Sequence, residues 1–151
     1  MRKKAPFHVA VFRKLTTSMA FHWPVRVYWE DTDAGGVVYY ANYLKFMERA
    51  RSEWLRAFGF EQDVLRDEAG VVFVVRRVEI DYLSPARFNE QLDVSVSLHE
   101  MGRASLSVRQ ELMRGSTCLA KAVVTLACVD AANFKPVKMP ATLLQALAPT
   151  T

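Results

Sequence analysis

The sequence predicts an α+β domain: an antiparallel sheet of about five strands packed on one long helix. Two observations carry this. Apolar residues alternate with polar ones before residue 30, recur at three- and four-residue steps from about 39 to 58, and alternate again beyond Gly70. Short turn signals separate the later strands, so neighbours in sequence run antiparallel. At 151 residues the chain is long enough for one domain with one buried core.

Residues 1–20 read as a disordered basic tail, 21–140 as the folded domain, and 141–151 as a short helix and tail. Arg2, Lys3, Lys4, Arg13 and Lys14 fall in the first 18 residues, which hold no acid. Without those five, 15 basic residues face 16 acidic ones. The pI of about 9.2 therefore belongs to the tail, and the body has no net positive field to gather nucleic-acid phosphates. The tail lacks the continuous apolar stretch and small-residue cleavage site of a secretory leader. Met19, just before the patterned region, offers an alternative start.

Trp23 to Trp29 alternates and is rich in β-branched and aromatic residues, a first strand with Pro24 at its beginning. Glu30 to Gly36 is a run of turn formers. Over 39–58, Tyr40, Tyr43, Leu44, Met47, Ala50, Trp54, Leu55 and Phe58 share one helix face. Lys45, Glu48, Arg49, Ser52, Glu53 and Arg56 occupy the other, and Gly59 is the stop. Such a helix is about 30 Å long, and its aromatic face predicts burial against a sheet.

Val71 to Tyr82 is the second strand, ended by Ser84-Pro85. Leu92, Val94, Val96 and Leu98 alternate with polar residues in the third. Gly102 turns the chain into a fourth, Ser105 to Met113, and Arg114-Gly115-Ser116 into a fifth, Thr117 to Val129. Pro136 and Pro140 break the pattern before a brief helix, Ala141 to Leu147. No segment has the roughly 20 apolar residues of a membrane span. Cys118 and Cys128, ten residues apart on one strand, are separated by about 33 Å, far beyond the roughly 7 Å a disulfide tolerates. Free thiols fit a cytoplasmic chain. With His8, His22 and His99 scattered, no metal site is expected. No Gly-x-Ser-x-Gly elbow, phosphate-cradling loop or dinucleotide fingerprint is present.

Asp31-Thr32-Asp33-Ala34-Gly35-Gly36 is the informative stretch. It sets carboxylates and paired glycines directly before the long helix. Glycines let the chain turn sharply and a ligand approach closely. The helix start supplies free N–H groups that stabilise a developing oxyanion, beside a carboxylate able to act as base or nucleophile. An acid before a helix is also the commonest N-cap, a structural role that suits Asp31.

Val27 to Tyr39, then Asn42-Tyr43 and Glu48-Arg49-Ala50-Arg51, closely resembles the YbgC branch of the 4-hydroxybenzoyl-CoA thioesterase-like hotdog family. Phe73-Val74-Val75-Arg76, Tyr82 to Arg87 with its Ser84-Pro85-Ala86, and Lys135-Pro136 extend the likeness from Trp23 to Pro140. The resemblance implies a hotdog fold, a sheet wrapped around a central helix. It also implies an acyl-CoA thioesterase with no cofactor beyond the CoA of its substrate. The catalytic aspartate falls on Asp33 and the oxyanion-polarising main-chain N–H on Tyr40. Many YbgC-like chains carry histidine where Tyr40 stands; the hydroxybenzoyl branch carries tyrosine. Arg103 and Lys135 match basic positions that hold CoA phosphates, and Glu48 and Asn42 are supporting candidates. Acyl carrier protein is the other thioester carrier the resemblance allows, with a homodimer or homotetramer as the assembly. Its branch is tied to envelope-maintenance gene clusters and lipid metabolism. Two rivals are a hotdog hydratase or dehydratase, which would use a histidine, and a non-catalytic acyl-CoA-binding scaffold.

Overall fold

The computed structural model describes residues 19–148, so the basic tail lies, through residue 18, outside the described residues. The chain forms β1 (Phe21–Arg26), α1 (Asn42–Ala57), α2 (Gln62–Val64), a π-helical turn (Leu65–Ala69), β2 (Val71–Tyr82), β3 (Gln91–Met101), β4 (Ser105–Arg114), β5 (Thr117–Asp130) and α3 (Ala141–Leu147). The five strands make one sheet in the order β1-β3-β4-β5-β2, antiparallel at every pairing. Helix α1 packs on one face, against β1, β3 and β4.

Binary patterning accounts for the core. Leu92, Val94 and Val96 of β3 and Leu106, Val108 and Leu112 of β4 point inward and are buried. Phe46, Met47, Ala50 and Trp54 meet them from α1. Burying each large apolar side chain contributes about 1.5–3 kcal/mol, and this is what holds helix to sheet.

The helix is shorter than the periodicity predicts, beginning at Asn42 rather than Tyr39. The reason is tertiary. Val38 N–H donates to Ala86 O (2.8 Å) and Tyr39 N–H to Asp31 O (2.9 Å). Bridges join Thr32 to Val38 and Val37 to Arg87. These bonds hold the chain extended where the pattern favours a helix. At 16 residues, α1 is about 24 Å long. Tyr40 consequently leaves the buried stripe, at 61% exposed, and Leu44 sits at its margin, while Phe46 is fully buried. Gly59 ends the segment at a φ of +93° that favours glycine.

Strand β1 runs from Phe21 to Arg26 instead of Trp23 to Trp29. Trp29–Asp31 winds into a 3₁₀ turn in which the Asp31 carboxylate accepts the Tyr28 N–H at 2.8 Å. Pro24 lies inside β1, opposite Asp93, which an edge strand tolerates because the proline nitrogen needs no partner. The helical piece over 62–69 has no clear periodic signal in the sequence. Both cysteines are free on β5.

The two ends of the sheet carry different connections. Leu83 and Ser84 donate to Leu119 O at one end, where the loop after β1 also docks. At the other, Cys128 N–H donates to Ala104 O and Met139 N–H to Arg103 O.

Candidate active site

The chain after β1 makes a tight turn at Asp33. Asp33 N–H donates to Val37 O (2.9 Å) and Gly36 N–H to Asp33 O (3.0 Å). Gly36 sits at φ +78°. A Cβ on Gly35 would meet Asp33 Oδ1 at 3.1 Å, so a side chain there would crowd the carboxylate. Asp33 itself is exposed. Its Oδ1 accepts the Gly35 N–H at 2.8 Å, while Oδ2 has no donor among the described residues.

Asp31, by contrast, is buried and spends its carboxylate on the 3₁₀ turn. Its carbonyl accepts both the Tyr39 N–H and the Asn42 side-chain amide, the latter at 2.9 Å. Asn42 thereby ties the first residue of α1 to the acidic loop. Two carboxylates of one loop thus differ in surroundings: Asp31 is buried and builds the turn, whereas Asp33 faces solvent.

Tyr40 lies two residues before α1. Its N–H donates to no acceptor among the described residues, whereas its carbonyl accepts the Tyr82 hydroxyl at 3.0 Å. Tyr39 and Tyr40 rings are tilted against each other with centroids 4.9 Å apart. The hydrogen bond to Tyr40, the charge Tyr40 would carry, desolvation and the Asp33 carboxylate all push the Tyr39 phenol above its usual range. Tyr39 is therefore a neutral hydroxyl beside the acidic loop at ordinary pH. Trp29 and Phe88 stack at 3.6 Å between centroids on this end of the molecule, and both are exposed.

The basic candidates stand elsewhere. Arg103 is exposed in the β3–β4 turn, and Lys135 is exposed beyond β5, its carbonyl accepting the Asp130 N–H. Ala120 of β5 pairs with Tyr82, and Cys128 with the Arg103 turn. Eight strand residues separate them, about 26 Å. Asp33 and Tyr40 lie in the one segment that precedes α1; Arg103 and Lys135 lie at the opposite end of the sheet. Glu48 accepts the Ser52 hydroxyl at 3.1 Å on the exposed side of α1, which is a helix-surface contact.

Two hollows open away from Asp33. One of about 290 Å³ lies between α2 and the start of β2, lined by Leu65, Arg66 and Phe73 among others. A groove of about 630 Å³ runs over the outer sheet face by Glu79, Arg109 and Lys121. Among the described residues no group of three or more His, Cys, Asp or Glu is arranged to hold a metal ion. No helix there is long and apolar enough to cross a membrane. Tyr82 and Asn42 contact the acidic loop and helix start across distances of 42 and 11 residues. Only the placement of Tyr82 at a strand end hints at its contact in sequence.

Residues 27–147 match the pattern of the thioesterase-like superfamily. The chain is 48% identical over 120 residues to an acyl-CoA thioesterase YbgC of Haemophilus influenzae, covering 80% of this chain and 88% of that one. It is 44% identical over 125 residues to an acyl-CoA thioester hydrolase YbgC of Escherichia coli, covering 82% and 92%. In structure it is similar to a probable thioesterase from Bartonella henselae, with a TM-score of 0.77 at 35% identity, covering 81% of this chain and all of that one.

Proposed function

The chain belongs to the thioesterase-like superfamily, and we propose that it hydrolyses acyl-CoA thioesters to the free acid and CoA, with Asp33 driving the step. The observation that carries this reading is the exposed Asp33 carboxylate, anchored through one oxygen, on a loop bonded directly to the start of α1. A carboxylate acts here in either of two ways. As general base it takes a proton from water while the oxygen adds to the thioester carbonyl and CoA leaves as thiolate, then takes up a proton. As nucleophile it displaces CoA to form a mixed anhydride, which water cleaves. In both, negative charge grows on the carbonyl oxygen. The unengaged Tyr40 N–H, at the positive end of α1, is the donor that would receive it.

An open carboxylate in a single chain is poorly shielded from water, and a second subunit would close it in. The free edges of β1 and β2 and the exposed aromatics around the loop (Tyr28, Trp29, Tyr40, Phe88) support a homodimer or homotetramer. In such an assembly Arg103 and Lys135 would hold CoA phosphates for the Asp33 of a neighbour, because they lie at the end of the sheet opposite their own.

A thiol-release assay over acyl-CoAs from acetyl to palmitoyl, with benzoyl-CoA, tests the activity. Asp33→Asn is expected to abolish turnover in a folded protein that still binds CoA; wild-type rates would end the proposed role. Single turnover in ¹⁸O-water separates the routes, since label enters the Asp33 carboxyl only through the anhydride. No specific contact favours the hydratase or the scaffold alternative.

A further inference from the structure

We infer that Tyr82 is a positioning residue for the thioester reaction, its hydroxyl fixing and polarising the Tyr40–Ala41 peptide at the opening of α1. The inference rests on the hydrolase reading and deepens it. Tyr82 is the last residue of β2, so its side chain is carried by the sheet rather than by the acidic loop. Its hydroxyl donates to Tyr40 O at 3.0 Å. Its ring meets Tyr43 edge-on at 5.3 Å and Tyr40 at 6.1 Å between centroids.

Two consequences follow from bond geometry. A peptide is a rigid plane, so holding the Tyr40 carbonyl also holds the Ala41 N–H and limits rotation about the Tyr40 backbone. Donation to that carbonyl draws electron density toward oxygen and makes the Ala41 N–H a better donor. Tyr40 N–H and Ala41 N–H are consecutive and both free of acceptors among the described residues. Tyr82 thus fixes the Ala41 N–H as a second donor beside the Tyr40 N–H, whose own peptide is held by the Asn42 N–H on Tyr39 O. Burial, with the nearby Tyr40 and Tyr43, pushes its phenol above the usual range, so it remains a donor throughout neutral pH.

Tyr82→Phe keeps the ring contacts and deletes the bond. Steady-state kinetics are compared for wild type, Tyr82→Phe and Asp33→Asn, using the acyl-CoA that wild type cleaves fastest. One hydrogen bond acting on the transition state implies a fall in kcat of about five- to tenfold with KM nearly unchanged. Ala41 and Tyr40 backbone NMR shifts should move while thermal unfolding stays close to wild type. An active wild type and a dead Asp33→Asn beside a Tyr82→Phe of wild-type kcat would overturn this inference alone. A kcat loss matched by lost folded protein, or a loss of kcat/KM carried wholly by KM, would do the same. A wild type that cleaves no acyl-CoA would overturn the hydrolase reading and this inference together.

Discussion

The Tyr43 hydroxyl accepts the Ala86 N–H at 2.9 Å, with both residues buried. Ala86 also accepts the Val38 N–H at 2.8 Å. One residue of the β2–β3 connection is therefore bonded both to the chain just after the acidic loop and to the first turn of α1. Arg114, reaching Pro85 O and the Glu90 carboxylate, holds that connection in turn. The position of the acidic loop is set by a segment some 50 residues away.

Tyr43→Phe tests this arrangement. It leaves a buried N–H without a partner, which costs about 1–3 kcal/mol. Urea unfolding should report a lower midpoint at unchanged slope. An unshifted midpoint would mean that the Ala86 amide finds another acceptor.

A second buried contact joins helix to sheet. Arg51 Nη1 donates to Gln110 Oε1 and Gln110 Nε2 to Met47 O, each at 3.0 Å. Burial lowers the Arg51 pKa, with Glu48 pulling it back; a guanidinium keeps its charge in proteins, so this buried one needs its neutral partner. Gln110→Leu should destabilise by about 1–3 kcal/mol. Adding Arg51→Met removes the stranded charge and should recover part of that loss, a coupling that a double-mutant cycle measures.

These contacts explain what the sequence conveys and what it withholds. β2 ends at Tyr82 and α3 spans Ala141–Leu147, as the pattern predicts, because Ser84-Pro85 and Pro140 are local breakers. β1 stops short of Trp29 because the Asp31 side chain captures the Tyr28 N–H, a choice that aromatic β-formers disguise. Tyr40 fits the helical period, yet bonds from Val38 and Tyr39 keep the chain before it extended. Asp33 stands out in the sequence through family likeness and its glycine neighbours, which motivate the role proposed for it. Its exposure, the Tyr82 contact and the distance to Arg103 depend on which strands become neighbours, and no local pattern encodes that.

The thiols supply a pH test. Burial pushes Cys128 up, and burial followed by the Glu111 charge pushes up Cys118. A thiol whose folded pKa exceeds its unfolded one stabilises the fold below the unfolded value and loses that contribution as pH rises through the folded value. Stability should therefore fall on the alkaline side, and Cys128→Ala should flatten that fall. At neutral pH a thiol reagent should modify Cys118 slowly and Cys128 only after unfolding. Rapid double labelling of the native protein would contradict the burial of Cys128.

The separation of Asp33 from Arg103 makes the proposed shared site testable by mixing. Arg103→Glu alone should raise KM for acyl-CoA by reversing a phosphate contact, and Asp33→Asn alone should remove turnover. If each site takes Asp33 from one subunit and Arg103 from the other, a mixed dimer carries one site damaged twice and one site intact. Random re-association of equal amounts would then restore about a quarter of wild-type sites. If both residues served a site within one chain, every site in the mixture would retain one lesion and no wild-type sites would return. Activity measured at acyl-CoA concentrations too low for the Arg103→Glu protein to turn over distinguishes the two outcomes directly.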